Sequence, residues 1–342
     1  MAETALFREQ ELAFRTQYAE LKERVAASGS ILPGTPGTLV RRAGTGYSYW
    51  YRVFYPAPGK QSEDLICKDG DADALQAMRE RIAFSAWVAA QVSSLRKLGF
   101  QTADKAVARV LVELHNRGAF EAGLVLAGTL GYMAWLNELG AMAVSARTLD
   151  IDLARRQRLK LAAPLPFLTT MQATGLPFAS VPALPAKAVS TSVKLPGVEG
   201  LRVDVLAPHS TLGAIVRVPE LDWSAQGIPH YDYLLMEPEP GAMLAGGHCI
   251  PLRLPQAARL VWHKLYSSTN RRGFPEKAAK DRRQGLVLAA VLAEADAQAL
   301  TRAFKAAPRS MTKSIVPLYG RLAKESNAHP SLQGILHECL NR

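Results

Sequence analysis

The ten residues 147–156, RTLDIDLARR, set two aspartates one residue apart inside an apolar run and crowd that run with arginines. Side chains alternate faces along a strand, so Asp150 and Asp152 share one face while Leu149, Ile151 and Leu153 turn the other way, toward a core. Adjacent carboxylates repel and raise each other's pKa, and burial strips their hydration. A divalent cation with a preference for hard oxygen ligands removes both costs, which is how phosphoryl-transfer sites use paired carboxylates. A solvated strand edge can carry the same spacing, so the pair gains meaning only from its surroundings.

Those surroundings contain a third carboxylate and a phosphate-binding turn. In GLRVDVLAP, Leu201, Val203 and Val205 form the apolar face of a second short strand, and Asp204 lies on the other face with Arg202 and Leu206. On a neighbouring strand Asp204 would complete a site for divalent metal. Upstream, Gly128-Thr129 closes an apolar strand at about 123–127 and opens a helix that ends at Gly140. The free N–H groups and dipole at such a helix start can hold phosphate oxygens, although an ordinary cap by Thr129 gives the same sequence.

The chain of 342 residues, about half hydrophobic, has room for two or three domains. An amphipathic helix over about 4–27 ends in the Gly/Pro-rich SGSILPGTPG, and alternating aromatic and polar residues around Pro58-Gly59 predict a β-hairpin or small sheet. Helices follow over 72–98 and 103–117. Strands are expected at 148–154, 188–194, 201–207, 213–218 and 231–236, and basic helices at 256–270, 276–294, 297–305 and 311–325. The expected fold is therefore α+β. It divides into an N-terminal helix and hairpin module (1–118), a mixed-sheet core (119–255) and a C-terminal helical bundle (256–342).

Strand, Gly-Thr turn, helix, Asp-x-Asp strand and single-Asp strand in that order resemble the polymerase-beta-type nucleotidyltransferase superfamily. More closely, the chain is similar to a bacterial family described as having the minimal-nucleotidyltransferase fold. The similarity extends over YSYWYRVFY (47–55), Gly128-Thr129, TLDID (148–152), Asp204, IPLRLPQAARLVWHKL (250–265), Arg271-Arg272 and Lys280-Asp281. It implies a polymerase-beta-like core and transfer of a nucleoside monophosphate from an NTP to a hydroxyl, with pyrophosphate leaving. It further implies that Asp150 and Asp152 bind Mg²⁺ or Mn²⁺, and that Asp204 completes the metal site or acts as base. Gly128, Thr129, Lys264 and Lys280 would contact the nucleotide phosphates. The acceptor would be RNA such as tRNA, or a protein. The same fold kept as a non-catalytic nucleic-acid-binding or toxin–antitoxin partner module is the alternative, against which three assembled carboxylates argue.

A formal charge of +11 favours an acidic partner. Eight Lys/Arg face two acidic residues between Arg259 and Arg283. Arg155 and Arg156 beyond the Asp-x-Asp strand, with Arg271 and Arg272, could guide a polyanionic acceptor, or could simply face water. Tyr47, Tyr49, Trp50 and Tyr51 could stack on bases or pack the hairpin onto the helices behind it. Three separated cysteines without CxxC spacing indicate neither a disulfide framework nor zinc, which suits a cytoplasmic chain. No run reaches the roughly 18 apolar residues of a membrane span. AGTLGYM lacks a dinucleotide fingerprint and PGKQS lacks a P-loop. His248 and Cys249 point apart on a strand and form no nucleophilic dyad.

Overall fold

A computed structural model describes residues 5–57, 59–144, 148–182, 189–271 and 273–341. Helix α1 (Leu12–Ser28) starts later than the periodicity predicts, because Arg8–Glu9 forms a strand, β1, that pairs with β6 (Ala141–Met142). The aromatic stretch forms a three-stranded antiparallel sheet of β2 (Thr38–Ala43), β3 (Ser48–Ala57) and β4 (Lys60–Lys68). Alternation on β3 buries Arg52 and Phe54 and leaves Tyr55 exposed. Arg52 is fully buried, and its guanidinium donates to the carbonyls of Pro33, Thr35 and Pro36 at 2.7–3.0 Å, so it fastens the Gly/Pro-rich segment to the sheet. Helices α2 (Ala72–Lys97) and α3 (Lys105–Asn116) follow, the first capped by Asp71, whose carboxylate accepts from the Ala74 N–H.

The central sheet is mixed. It contains β5 (Val125–Leu126), β7 (Asp150–Ala154), β8 (Ala179–Ser180), β9 (Ser192–Lys194), β10 (Arg202–Pro208), β11 (Ile215–Val218) and β12 (Trp223–Ile228), with helices α4 (Gly128–Glu138) and α5 (Phe167–Ala173) between them. The path runs β11-β12-β10-β7-β5, and β7 and β12 both lie parallel to β10. Strand β9 pairs antiparallel with the first half of β10, Arg202–Asp204, while β12 takes Leu206–Pro208 on the same edge. The apolar face of β7 is sealed, with Ile151 and Leu153 fully buried, and Val203 and Val205 do the same for β10. Beyond this sheet, β13 (Glu239–Ala245) and β14 (His248–Leu254) form a hairpin about Gly246-Gly247.

The strand expected at 231–236 does not form. Residues Tyr231–Leu234 make a helical turn, α6, entered through His230 at φ +61°. Tyr233, Leu234 and Leu235 are all buried in succession, which an alternating strand with one solvated face cannot achieve.

The C-terminal region is helical: α7 (Ala257–Asn270), α8 (Pro275–Ala295), α9 (Ala297–Lys305), α10 (Arg309–Ile315), α11 (Tyr319–Glu325) and α12 (Pro330–Leu340). The helix expected over 311–325 divides near Pro317, which lacks the N–H an α-helix needs. One hydrophobic core runs from Leu6 through α3, the central sheet and α7–α12, crossing residues 118 and 255; a smaller one joins α1 and α2 to the β13–β14 hairpin. The architecture is thus α+β with a mixed sheet. Among the described residues no helix is long and apolar enough to cross a membrane.

Candidate active site

Strand β5 leads directly into α4 at Gly128, whose φ of +63° is a left-handed conformation that glycine tolerates. Space reinforces the choice. A methyl group at Gly128 would come within 2.7 Å of the Asp152 carboxyl carbon, so only a residue without a side chain lets the turn approach the second aspartate. The Ala127 N–H donates to the Asp152 carbonyl at 2.9 Å and fixes that approach. Residue Ala127 occupies the N-cap position of α4 without a side-chain cap bond, and Thr129 lies buried inside the first turn. The ordinary cap by Thr129 is therefore not what the helix uses.

Because β7 and β10 run parallel in register, Asp204 stands opposite Asp152 and Arg202 opposite Asp150. Adjacent strands lie about 4.8 Å apart, so all four side chains crowd one face of the sheet. The Asp152 carboxyl is raised from 3.8 to about 6 by burial first and then by Asp204 and Asp150; Lys264 and Arg271 oppose the rise. Asp204 is already engaged. Its Oδ1 accepts from Arg202 Nε at 2.8 Å and from the buried Ser192 hydroxyl, and Arg202 Nη2 donates to Ser192 Oγ at 2.7 Å. Among the described residues no three His, Cys, Asp or Glu side chains converge into a formed metal cluster.

A cavity of about 550 Å³ opens above this face. Its aspartate side carries Gly128, Thr129, Asp150, Asp152 and Asp204, and its opposite wall is built by α7 and α8 with Lys264, Arg271, Lys277 and Lys280. Lys264 is only 6% exposed, and its ammonium donates to Asp281 Oδ1 at 3.1 Å and Gln284 Oε1 at 2.7 Å. Burial alone would raise the Asp281 carboxyl, but Lys264 and Arg271 hold it below its ordinary value. The pKa of Lys280 is lowered by burial and by Lys264, against the pull of Asp281, Asp150 and Asp152. The lining also carries Tyr231 and, on α7, His263 and Tyr266. Burial pushes the His263 imidazole down to about 4, so the ring is neutral, stacked edge-on against Tyr231 at 5.1 Å.

The cavity therefore gathers Asp150, Asp152, Asp204, Gly128, Thr129, Lys264, Lys280 and Arg271. Arg155 and Arg156 lie outside its lining. Arg155 turns inward, 3.5 Å from buried Glu220, and donates to the Arg217 carbonyl at 3.3 Å; Arg156 stands 3.7 Å from Asp232. Arg272 lies outside the described residues. Sequence reasoning missed Ser192 and Asp281 as partners of site residues. The Lys280-Asp281 pair pointed to the second, but nothing local marks Ser192, whose part depends on the register of β9 against β10.

A family model described as Nucleotidyltransferase matches residues 105–308. No curated protein matches the chain. A crystal structure of an antigenic nucleotidyltransferase-like protein from Paracoccidioides brasiliensis is similar at 16% identity over 69% of this chain and 96% of that one, with a TM-score of 0.35.

Proposed function

The chain belongs to a nucleotidyltransferase family, and from that membership we propose that it transfers a nucleoside monophosphate from an NTP to a hydroxyl acceptor, releasing pyrophosphate. One observation carries the proposal: Asp152 and Asp204 face the cavity in register on parallel strands, opposite a wall of lysines and an arginine. Carboxylates collected against their own repulsion need a cation, and their hard oxygens fit Mg²⁺ or Mn²⁺. Burial first, with Asp204 and Asp150 beside it, raises the Asp152 carboxyl to about 6, a cost that a bound cation would offset.

Asp150, Asp152 and Asp204 would hold the divalent ion, which would supply positive charge for the reacting phosphate and the leaving pyrophosphate. The chain's own residues do the rest. The open N–H groups at Gly128 and Thr129 receive phosphate oxygens. Lys264 and Lys280 offset the charge of the triphosphate. Asp204 keeps Oδ2 free of the Arg202 and Ser192 bonds, so it can ligate or take the acceptor proton as the new O–P bond forms and the bond to pyrophosphate breaks.

The acceptor in this proposal is RNA, such as tRNA, or a protein, in the cytoplasm, and the boundaries expected at residues 118 and 255 mark changes of element type within one shared core, not separate cores. Incubation with each α-labelled NTP and total cellular RNA or protein, beside Asp150→Asn and Asp152→Asn, tests it. Label should appear in one acceptor fraction only with the wild type. Transfer that survives both substitutions refutes the assigned mechanism.

A further inference from the structure

One carboxylate holds two of the cations that face the aspartates. Asp281 on α8 is 3% exposed, and its oxygens are divided: Oδ1 accepts from Lys264 Nζ and Oδ2 from Arg271 Nε, each at 3.1 Å. Lys264 lies within α7 and Arg271 at its C-terminal cap, seven residues on, or roughly 10 Å along a helix axis at 1.5 Å per residue. Their side chains nevertheless converge on a single point. Gln284, one turn along α8, takes a second hydrogen of the Lys264 ammonium.

Stability alone does not account for the arrangement. Desolvating such a pair costs about what the Coulomb attraction returns, and apolar residues of equal volume are often as stable or more so. What the carboxylate does determine is where two positive charges stand. Both cations line the cavity, and both pull on Asp152 electrostatically. The Arg271 side chain spends only Nε on Asp281 and makes no other hydrogen bond among the described residues, so its two Nη groups remain for a planar, bidentate contact with phosphate.

We infer that Asp281 is a positioning residue of the nucleotide site, setting the Lys264 ammonium and the Arg271 guanidinium so that both meet the triphosphate. The inference rests on the nucleotidyltransferase reading, and it moves Arg271 from the acceptor to the nucleotide.

The test uses the purified full chain and its Asp281→Asn, Asp281→Glu, Arg271→Gln and double Asp281→Asn/Arg271→Gln variants. Each is titrated with the four Mg²⁺–NTPs, assayed for label transfer and melted thermally. Losing charge-assisted contacts should weaken NTP binding about tenfold in Asp281→Asn, with KM rising and kcat changing far less. Asp281→Glu should recover part of the loss, and the double variant should lose less than the product of the two single losses. A folded Asp281→Asn that melts lower yet binds NTP as the wild type does overturns the inference and leaves a structural counter-ion. Should Asp281→Asn not fold, half-exposed Arg271→Gln decides, and unchanged NTP affinity there is equally fatal. A wild type that binds no Mg²⁺–NTP removes the functional reading itself. A wild type that binds, with unaffected variants, removes only the role of Asp281.

Discussion

Replacing Asp152 with Asn should make the metal-free protein more stable while abolishing transfer. In the folded chain the carboxyl ionises near 6 rather than 3.8, because it is buried beside Asp204 and Asp150. The folded state therefore holds a proton that the unfolded chain has released between those two values, so stability falls as pH rises through that window and the full cost stands above about pH 6. At 1.36 kcal/mol per pH unit the displacement amounts to about 3 kcal/mol, and water in the open cavity screens it to roughly 2. Asn keeps the shape and removes the charge. Urea unfolding followed by circular dichroism, in chelator, should show Asp152→Asn more stable by about 2 kcal/mol at pH 8, with the gain disappearing near pH 4. Added Mg²⁺ should stabilise the wild type and leave the variant unmoved. A variant less stable than the wild type at pH 8, or a difference that ignores pH, refutes the claim that burial and neighbouring carboxylates penalise the ionised Asp152.

Gly128→Ala places a methyl against the Asp152 carboxyl and strains a φ of +63°, about 1–2 kcal/mol for the backbone alone. Its thermal midpoint should drop and kcat should fall at least about tenfold through the displaced aspartate; wild-type turnover would refute that dependence. His263 is held neutral, with its imidazole lowered from 6.5 to about 4, so its contribution is complete above pH 6.5 and disappears as pH falls toward 4. His263→Gln should flatten acid denaturation by about 3 kcal/mol over that window, read by unfolding at pH 4.5 and 7; an unchanged acid limb would locate the sensitivity elsewhere. Arg155→Gln leaves buried Glu220 without its cation and should cost about 2–3 kcal/mol, while the salt dependence of RNA binding stays as in the wild type. A changed salt slope with intact stability would return Arg155 to the acceptor surface.

The aspartate face was legible because strand alternation is local: the spacing of Asp150 and Asp152 dictates a shared face whatever they pair with. Gly128 was legible for the same reason, as a break between an apolar strand and a helix. What escaped was set by distant partners. Arg155 beside the Asp-x-Asp strand reads as a phosphate contact or a water-facing charge until Glu220, 65 positions later, draws it inward. Lys264 reads as a free cation until α8 folds Asp281 and Gln284 over it. Tyr231–Leu235 has the aromatic content of a strand, but the burial of Tyr233, Leu234 and Leu235 in succession suits a helical turn, and only the packing of α7 against it reveals that demand. Arg52 is buried on an alternating strand, and its carbonyl partners come from a segment with no periodic signal.

Each wall of the cavity carries its own counter-ion, and that division has a consequence for ligand binding. On the aspartate side Arg202 partly neutralises Asp204, while Asp150 and Asp152 have no ion-pair partner among the described residues. On the helical side Asp281 answers Lys264 and Arg271, while Lys277 and Lys280 in the lining have no ion-pair partner among the described residues. The surplus is therefore negative on one wall and positive on the other. A polyanion alone would satisfy the second and aggravate the first, and a cation alone would do the reverse. Only a polyanion that arrives with a divalent cation relieves both. Binding of NTP and metal to this cavity should accordingly be cooperative, with each tightening the other by the same factor. Equal NTP affinity in chelator and in Mg²⁺ would show that the two walls do not act on one ligand.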